Sequence, residues 1–288
     1  MSLRKIVPYF FILPGFLYFV IFMLYPIFQT VSLSFYNWDG LARTKQFIGL
    51  KNYLRLVQDP IFHVSLSHNL IWVALTIALP LLIGLILASI LAGKIKGRNV
   101  FSTIYFIPHI IALVVAGTIW SWIYNPIFGL LNVVLKEIGL GHLARGWLGD
   151  PQWALISLNM VGNWTYFGFC VLIFLSFLQS VDPTVYEAAV VDGANSLQRF
   201  WHITIPALRG TIVFVTVYST IGALKFFDLV YITTRGGPFH KTEVVSSYMF
   251  SLFLRQNRVS YAASISTVLT GIIFSLTVTI LYFGWEKK

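Results

Sequence analysis

Long apolar runs alternate with shorter polar connections along the whole chain. Five runs carry no charged residue, and a sixth is interrupted only by Lys225 and Asp228. The runs cover residues 6–38, 60–93, 99–135, 151–181, 210–234 and 259–285. A helix needs about 20 mostly apolar residues to cross the roughly 30 Å hydrocarbon core of a bilayer. The pattern therefore predicts six membrane-spanning helices, at residues 9–31, 70–91, 101–124, 154–178, 211–233 and 262–284.

The continuity of these runs favours helices over barrel strands, which alternate in hydrophobicity over about 10 residues. The first run is too long for the apolar region of a cleaved signal peptide, so we expect an uncleaved first span. The predicted fold class is thus all-α: a polytopic membrane protein with six transmembrane helices. We expect residues 1–69 to hold the tail, first span and outer loop, 70–284 the transmembrane domain, and 285–288 a tail.

Composition supports a membrane protein. The chain is 57% hydrophobic and 10% charged, with a mean hydropathy of +0.79, whereas soluble domains carry about 25% charged residues. The net charge of +10 is spread over connecting segments without a dense basic stripe, so it indicates basic loops and membrane lipid contact, not nucleic acid.

Basic residues in short segments set the predicted orientation. Arg4 and Lys5 precede the first span, and Lys94, Lys96 and Arg98 lie in a short connection. Cytoplasmic loops are enriched in such residues, so both termini are expected in the cytoplasm. Residues 32–69, 125–153 and 234–261 would then lie outside.

Motifs for catalysis or nucleotide binding are not found. Gly93-Lys94 and Gly97-Arg98 lack the spacing of a phosphate-binding loop, and no zinc-protease or serine-hydrolase motif occurs. Cys170 has no partner for a disulfide and is expected to be a buried thiol. His109 is either a ligand or relay, or a packed histidine at a kink. We therefore expect no enzyme activity, cofactor or metal in this chain.

A polar segment, residues 182–208, separates the fourth and fifth spans. Asp182-Pro183 predicts a capped helix start, and Gly193 can adopt the left-handed conformation that ends a helix. Asn195 or Ser196 would cap a second short helix.

This second helix would carry an apolar face, because Leu197, Phe200 and Trp201 follow helical spacing, and Pro206 would end it. The pattern alone leaves two possibilities. The two aromatic residues either lie in the membrane interface or insert into a soluble partner.

Four parts of the segment together resemble a known family. Glu187-Ala188-Ala189, Gly193 and Ile203-Thr204-Ile205-Pro206 follow the spacing of the EAA loop in permease subunits of ABC importers. The stretches at 47–53 (FIGLKNY) and 234–238 (TRGGP) are similar to the carbohydrate-uptake branch, of the maltose, glycerol-phosphate and arabino-oligosaccharide permease type.

The resemblance implies a type I importer fold in a bacterial or archaeal cytoplasmic membrane. It also implies four partners: a homologous second permease, two cytoplasmic ATPases that bind ATP and magnesium, and an extracytoplasmic solute-binding protein. The residues expected to couple to the ATPase are Glu187, Ala188, Ala189, Gly193, Leu197, Phe200, Trp201 and Pro206.

Polar groups inside a bilayer are candidates for function. Asn163 and Trp164 in the fourth span are such candidates. The resemblance further implies a solute path past Tyr166, Phe169, Ser219, Gly222, Ala223 and Phe226. Aromatic rings there either stack on a sugar or pack between helices.

Lys225 and Asp228 are three residues apart, so they are expected to share a helix face and to pair. The pair would face a partner or seal a gate, or else contact the solute. A secondary, ion-coupled transporter remains the alternative function, although its usual repeat symmetry is not evident. A membrane enzyme is not supported, because the sequence shows no arrangement of nucleophile and base or of metal ligands.

Overall fold

A computed structural model describes the backbone of residues 3–93 and 95–285 and the side chains of residues 11–93 and 95–284. Lys94, the side chains of Arg4 and Lys5, and residues 286–288 of the expected tail lie outside this description. The chain forms two compact units. One comprises Met1–Pro60 and Met249–Gly271, and the other Ile61–Tyr248 and Ile272–Lys288.

The first span is a single helical rod with one wide turn. Helix α1, Leu3–Phe19, continues through the π-helical turn Val20–Leu24 into α2, Tyr25–Leu33. The N–H of Tyr25 binds the carbonyl of Val20, five residues back, immediately before Pro26. Because proline has no N–H and its ring crowds the preceding turn, the wider turn accommodates it without ending the helix.

The polar part of this first unit is held together by an asparagine. A two-stranded antiparallel ribbon pairs β1, Tyr36–Asn37, with β2, Gln46–Phe47, and helix α3, Lys51–Val57, follows. The buried Asn52 amide donates to the carbonyls of Ser34 and Tyr36, at 2.8 and 2.9 Å. The segment 47–53 therefore fixes the chain direction where it leaves the first span.

The other helices follow in chain order. They are α4 Pro60–Ala92, α5 Arg98–Ile110, α6 Leu113–Ile123, α7 Leu130–Glu137, α8 Ala154–Leu178, α9 Pro183–Val191, α10 Ser196–Arg199, α11 Ile205–Ala207, α12 Arg209–Leu224, α13 Asp228–Thr233, α14 Val245–Leu254 and α15 Val259–Trp285. Within the described residues, five spans are long and apolar enough to cross a membrane, and a bent pair gives a sixth. The predicted all-α class is confirmed, and α8 matches the predicted fourth span.

The third span is not the single helix predicted at 101–124. Helices α5 and α6 meet at an angle of 93°, because Ile111 and Ala112 are extended. Pro108, inside α5, already removes one helical hydrogen bond just before this break. Residues on both sides are apolar, so hydropathy does not reveal the bend.

The fifth span, Arg209–Thr233, agrees with the predicted 211–233, but its helix is interrupted. Helix α12 ends at Leu224 and α13 begins at Asp228. The buried amide of Asn69 in α4 donates to the carbonyls of Ala223 and Leu224, at 3.0 and 3.2 Å. These contacts add hydrogen bonds to carbonyls at a helix end, where the regular helical partners are missing.

The second span begins ten residues before the predicted start at residue 70. Helix α4 already includes Ser65 and His68, which are polar but buried. His68 donates from Nδ1 to the carbonyl of Glu243, at 2.8 Å, and the N–H of Val245 binds Asn69 Oδ1 at 2.8 Å. The polar residues of this stretch therefore face protein rather than water.

Glycines bring the spans of the second unit into close contact. A Cβ placed on Gly168 of α8 would collide with the carbonyl of Tyr105 in α5, and one on Gly84 would lie 2.7 Å from the Cβ of Cys170. Cys170 is fully buried, as expected. The halves α6 and α13 meet in the same way, since a Cβ on Gly117 would lie 2.7 Å from Ile232.

Candidate functional site

Residues 182–208 form two short helices joined by a rigid turn. Asp182 Oδ1 accepts the N–H of Thr184 at 2.9 Å, and this hydrogen bond holds the pKa of the Asp182 carboxyl below its usual value. Pro183 occupies the first helical position. The helix start is therefore the predicted one.

The turn is fixed by a C-terminal and an N-terminal cap. Gly193 has φ +80°, and the N–H groups of Gly193 and Ala194 bind the carbonyls of Val190 and Ala189. This pair of bonds is the Schellman arrangement. Asn195 then exchanges hydrogen bonds with Gln198, at 2.9 and 2.8 Å, which forms a capping box.

Only part of the apolar face of the second helix is exposed at the surface of the chain. Leu197 is 66% exposed and Trp201 59% exposed. Phe200, by contrast, is half-buried and packs against the core that contains Leu208 and Phe174. The predicted exposed aromatic pair is thus reduced to Trp201, since Phe200 anchors the segment to the spans.

Pro206 does not end the second helix as predicted. A π-helical turn, Phe200–Thr204, lies between α10 and α11, and the N–H of Ile205 binds the carbonyl of Phe200. As at Pro26, the wider π-helical turn accommodates the proline, which has no N–H to donate. Tyr186 on α9 braces this turn through its hydroxyl, 3.1 Å from Thr204 Oγ1.

Small residues border a hollow beside the exposed side chains. It measures about 320 Å³, and its lining includes Ala189, Gly193, Ala194 and His202. Glu187, Ala188 and Pro206 are exposed. Val190 and Val191, at the end of α9, are further apolar residues that are exposed in this segment. The sequence pattern did not single out these two valines, because in a hydrophobic chain they resemble span residues.

The fourth and fifth spans meet along a second candidate site, a polar seam. Tyr166 and Ser219 join their hydroxyls at 3.0 Å. The Asn163 amide donates to Asn159 Oδ1 at 2.7 Å, one turn away on the same helix. Both asparagines are buried, and Asn159 Nδ2 and Asn163 Oδ1 have no hydrogen-bond partner among the described residues. Unpaired buried amide atoms are costly, so this seam is suited to water or to polar groups of a solute.

Aromatic rings surround the seam on one side. Tyr218 stacks on Tyr166 and Phe169, with centroids 6.5 and 5.3 Å apart. His109 lies 5.1 Å from Phe169 and donates from Nδ1 to the carbonyl of Thr165 at 3.0 Å. Asn159 and Tyr218 were not among the predicted residues; the signal for Asn159 is its spacing of four from Asn163.

The remaining predicted path residues divide between two environments. Ala223 is buried and Phe226 packs 4.2 Å from Trp72, so both belong to the core. Trp164 is half-buried against Trp120. Gly222 is exposed, with open space where a Cβ would lie. The exposed stripe of α12 therefore runs along Phe214, Tyr218, Gly222 and Lys225.

The expectation that Lys225 and Asp228 share a helix face is wrong. Lys225 caps the C-terminus of α12, whereas Asp228 begins α13. Both are exposed, and no ion pair joins them. Each charge instead complements the dipole of its own helix end.

Comparisons with known proteins give the class. Residues 81–287 match the family model described as binding-protein-dependent transport system inner membrane component. The probable ABC transporter permease protein YurN of Bacillus subtilis is 37% identical over 97% of this chain and 96% of its own length. The chain therefore belongs to this family of permease subunits in the inner membrane.

Relatives with named solutes and a solved structure extend the comparison. The lactose transport system permease protein LacF of Rhizobium radiobacter is 34% identical, over 96% of this chain and 94% of its own length. The trehalose/maltose transport system permease protein MalF of Thermococcus litoralis is 31% identical, over 97% and 94%. A crystal structure of a bacterial ABC transporter that imports alginate has the same fold, with a TM-score of 0.86, 22% identity and coverage of 99% and 97%.

Proposed function

We propose that this permease subunit forms half of the translocation path of an ATP-driven, binding-protein-dependent importer for a sugar or related solute. Oligosaccharides, polyols and glycerol phosphate belong to this class. The solutes in the names of the lactose and trehalose/maltose relatives support it. The seam supports it too, because sugars offer hydroxyls for amides and apolar faces for rings such as Tyr166 and Tyr218.

The observation that carries the proposal is the rigid segment 182–208 with Leu197 and Trp201 exposed. This segment can transmit the movement of a partner protein to the spans only if the segment is stiff and the partner binds it firmly. The caps at Asp182, Gly193 and Asn195 supply the stiffness, and Trp201 is the type of side chain that anchors interfaces. We infer that cytoplasmic ATPase subunits, which bind the ATP and magnesium, hold this segment, and that both chain termini lie on the same side.

The first span supports a second permease as partner. No residue in the most apolar stretch of Phe11–Leu33 is buried, whereas more than half of that in Ala154–Leu178 is. We infer that the second permease and membrane lipid cover the first span. A solute-binding protein would deliver the solute from outside; a solved relative of the same fold was crystallised in complex with its periplasmic protein.

Reconstitution tests this function. The chain, its neighbouring permease, the ATPases and the binding protein would be placed in proteoliposomes and supplied with labelled lactose, maltose, arabinotriose or glycerol phosphate. We expect uptake of at least one probe that requires both ATP and the binding protein and persists when an ionophore dissipates ion gradients. Uptake that needs an ion gradient and not ATP would instead establish the secondary transporter.

A further inference from the structure

The loop after the fifth span holds an unusual backbone shape. Arg235, Gly236, Phe239 and His240 have φ values of +52°, +87°, +50° and +61°. Residues other than glycine rarely adopt a positive φ, and a bulky residue such as phenylalanine does so least readily. Such a backbone persists where the surroundings fix it, and it occurs preferentially in binding and switch segments.

A buried carboxylate fixes this loop. Glu243 is 5% exposed; its Oε1 accepts the Ser247 hydroxyl at 2.5 Å and its Oε2 accepts His240 Nδ1 at 2.9 Å. A Cβ on Gly236 would collide with the same carboxylate. Thr242 adds a hydrogen bond to the carbonyl of Gly237 at 2.6 Å. These hydrogen bonds therefore hold the loop in one defined conformation.

This loop carries an exposed aromatic ring and two exposed basic residues, Arg235 and Lys241. The Phe239 side chain is 87% exposed. Arg235, His240 and Lys241 of the same loop are also exposed, whereas the acidic residue of the loop, Glu243, is buried. An exposed ring that is held by a strained backbone, in a loop with exposed basic residues, is the arrangement of an interface anchor.

We propose that Phe239 is a docking knob for the solute-binding protein. It would enter an apolar notch whose rim carries carboxylates, and the cations of the loop would steer the approach. This inference rests on the proposed function and on the expected outer position of residues 234–261. A protein partner is favoured over lipid because a bilayer presents no fixed shape, so a lipid anchor needs no fixed backbone.

The test uses the assembled transporter in nanodiscs, with ATP hydrolysis measured against the concentration of sugar-loaded binding protein. For Phe239→Ala we expect the half-saturating concentration to rise about tenfold or more, with the maximal rate retained. Gly236→Ala keeps the Phe239 ring but disturbs the loop, so it should also raise the half-saturating concentration. Phe274→Ala removes an equally large ring, 70% exposed on α15, and should leave the half-saturating concentration unchanged.

Charge and lipid provide further readouts. Lys241→Glu should raise the half-saturating concentration and weaken its dependence on salt. If the wild type responds to the binding protein but Phe239→Ala has an unaltered half-saturating concentration, the knob is refuted and the proposed function stands. A Phe239→Ala effect that depends only on the lipid composition of the disc also overturns it, in favour of a membrane contact. A wild type that the binding protein fails to stimulate overturns the proposed function and this inference together.

Discussion

Asn69 of the second span hydrogen-bonds the backbone of the fifth span at the point where that span breaks. Its amide lies 3.0 Å from the carbonyl oxygen of Ala223, 154 residues later in the chain, and it also reaches Leu224. Its Oδ1 accepts the N–H of Val245. One side chain thus binds two carbonyls at the interruption of the fifth span and one N–H at the start of α14.

Replacing Asn69 should therefore destabilise the fold. Asn69→Ala leaves two carbonyls and one N–H without this partner, and we expect a loss of about 1–3 kcal/mol in the free energy of unfolding. Unfolding of the purified protein in detergent measures this loss. Asn99→Ala, at an exposed position on α5, is the matched control and should change the stability by less than about 0.5 kcal/mol. Equal stability of the two variants would refute the role of Asn69.

Local signals account for what the sequence predicted well. The caps at Asp182, Gly193 and Asn195 depend on neighbouring residues, and the structure has all three. The break after Leu224 depends on Asn69, and the inward turn of Phe200 depends on Leu208 and Phe174 of the core. Contacts between distant parts of the chain are not visible in hydropathy or helical spacing, so these features could not be predicted.

Close approach of α5 and α8 makes Gly168 sensitive to any side chain. Gly168→Ala would press a methyl group against the carbonyl of Tyr105, and overpacking of this kind costs about 1–3 kcal/mol. We expect a lower yield of folded protein and a lower thermal midpoint. At Gly271 on α15 the added methyl meets nothing within 4 Å. Gly271→Ala should leave both quantities unchanged or slightly higher, and a similar loss in the two variants would contradict the packing argument.

The ring of Tyr218 should matter for transport more than for stability. It is half exposed and stacks on Tyr166 and Phe169 beside the seam. Because a ring contact is worth about 0.5–1.5 kcal/mol, Tyr218→Ala should raise the solute concentration for half-maximal uptake about three- to tenfold. Uptake kinetics in proteoliposomes measure it. Phe283→Ala removes an exposed ring near the end of α15 and should have no effect; unchanged kinetics for Tyr218→Ala would show that its ring only packs.

The turn at Gly193 should be essential for coupling because its φ of +80° suits few residues. Proline, with φ fixed near −65°, cannot adopt it, whereas asparagine can. We expect Gly193→Pro to abolish solute uptake while the protein still reaches the membrane, and Gly193→Asn to retain most of it. Uptake by Gly193→Pro at the wild-type rate would show that the shape of the turn is dispensable.

Site-specific cross-linking tests most directly whether an ATPase holds residues 182–208. Cys170, the single cysteine, is replaced by alanine, and a photoreactive label is attached to Val191→Cys in one variant and to Val100→Cys in another. Both valines are exposed, at 87% and 61%, but only Val191 lies in the segment 182–208 that also carries the exposed Leu197 and Trp201. In a transport-active complex we predict that the label at 191 cross-links the ATPase, that the label at 100 does not, and that Trp201→Ala abolishes the cross-link. A label at 191 that reacts with lipid and never with the ATPase would contradict the account.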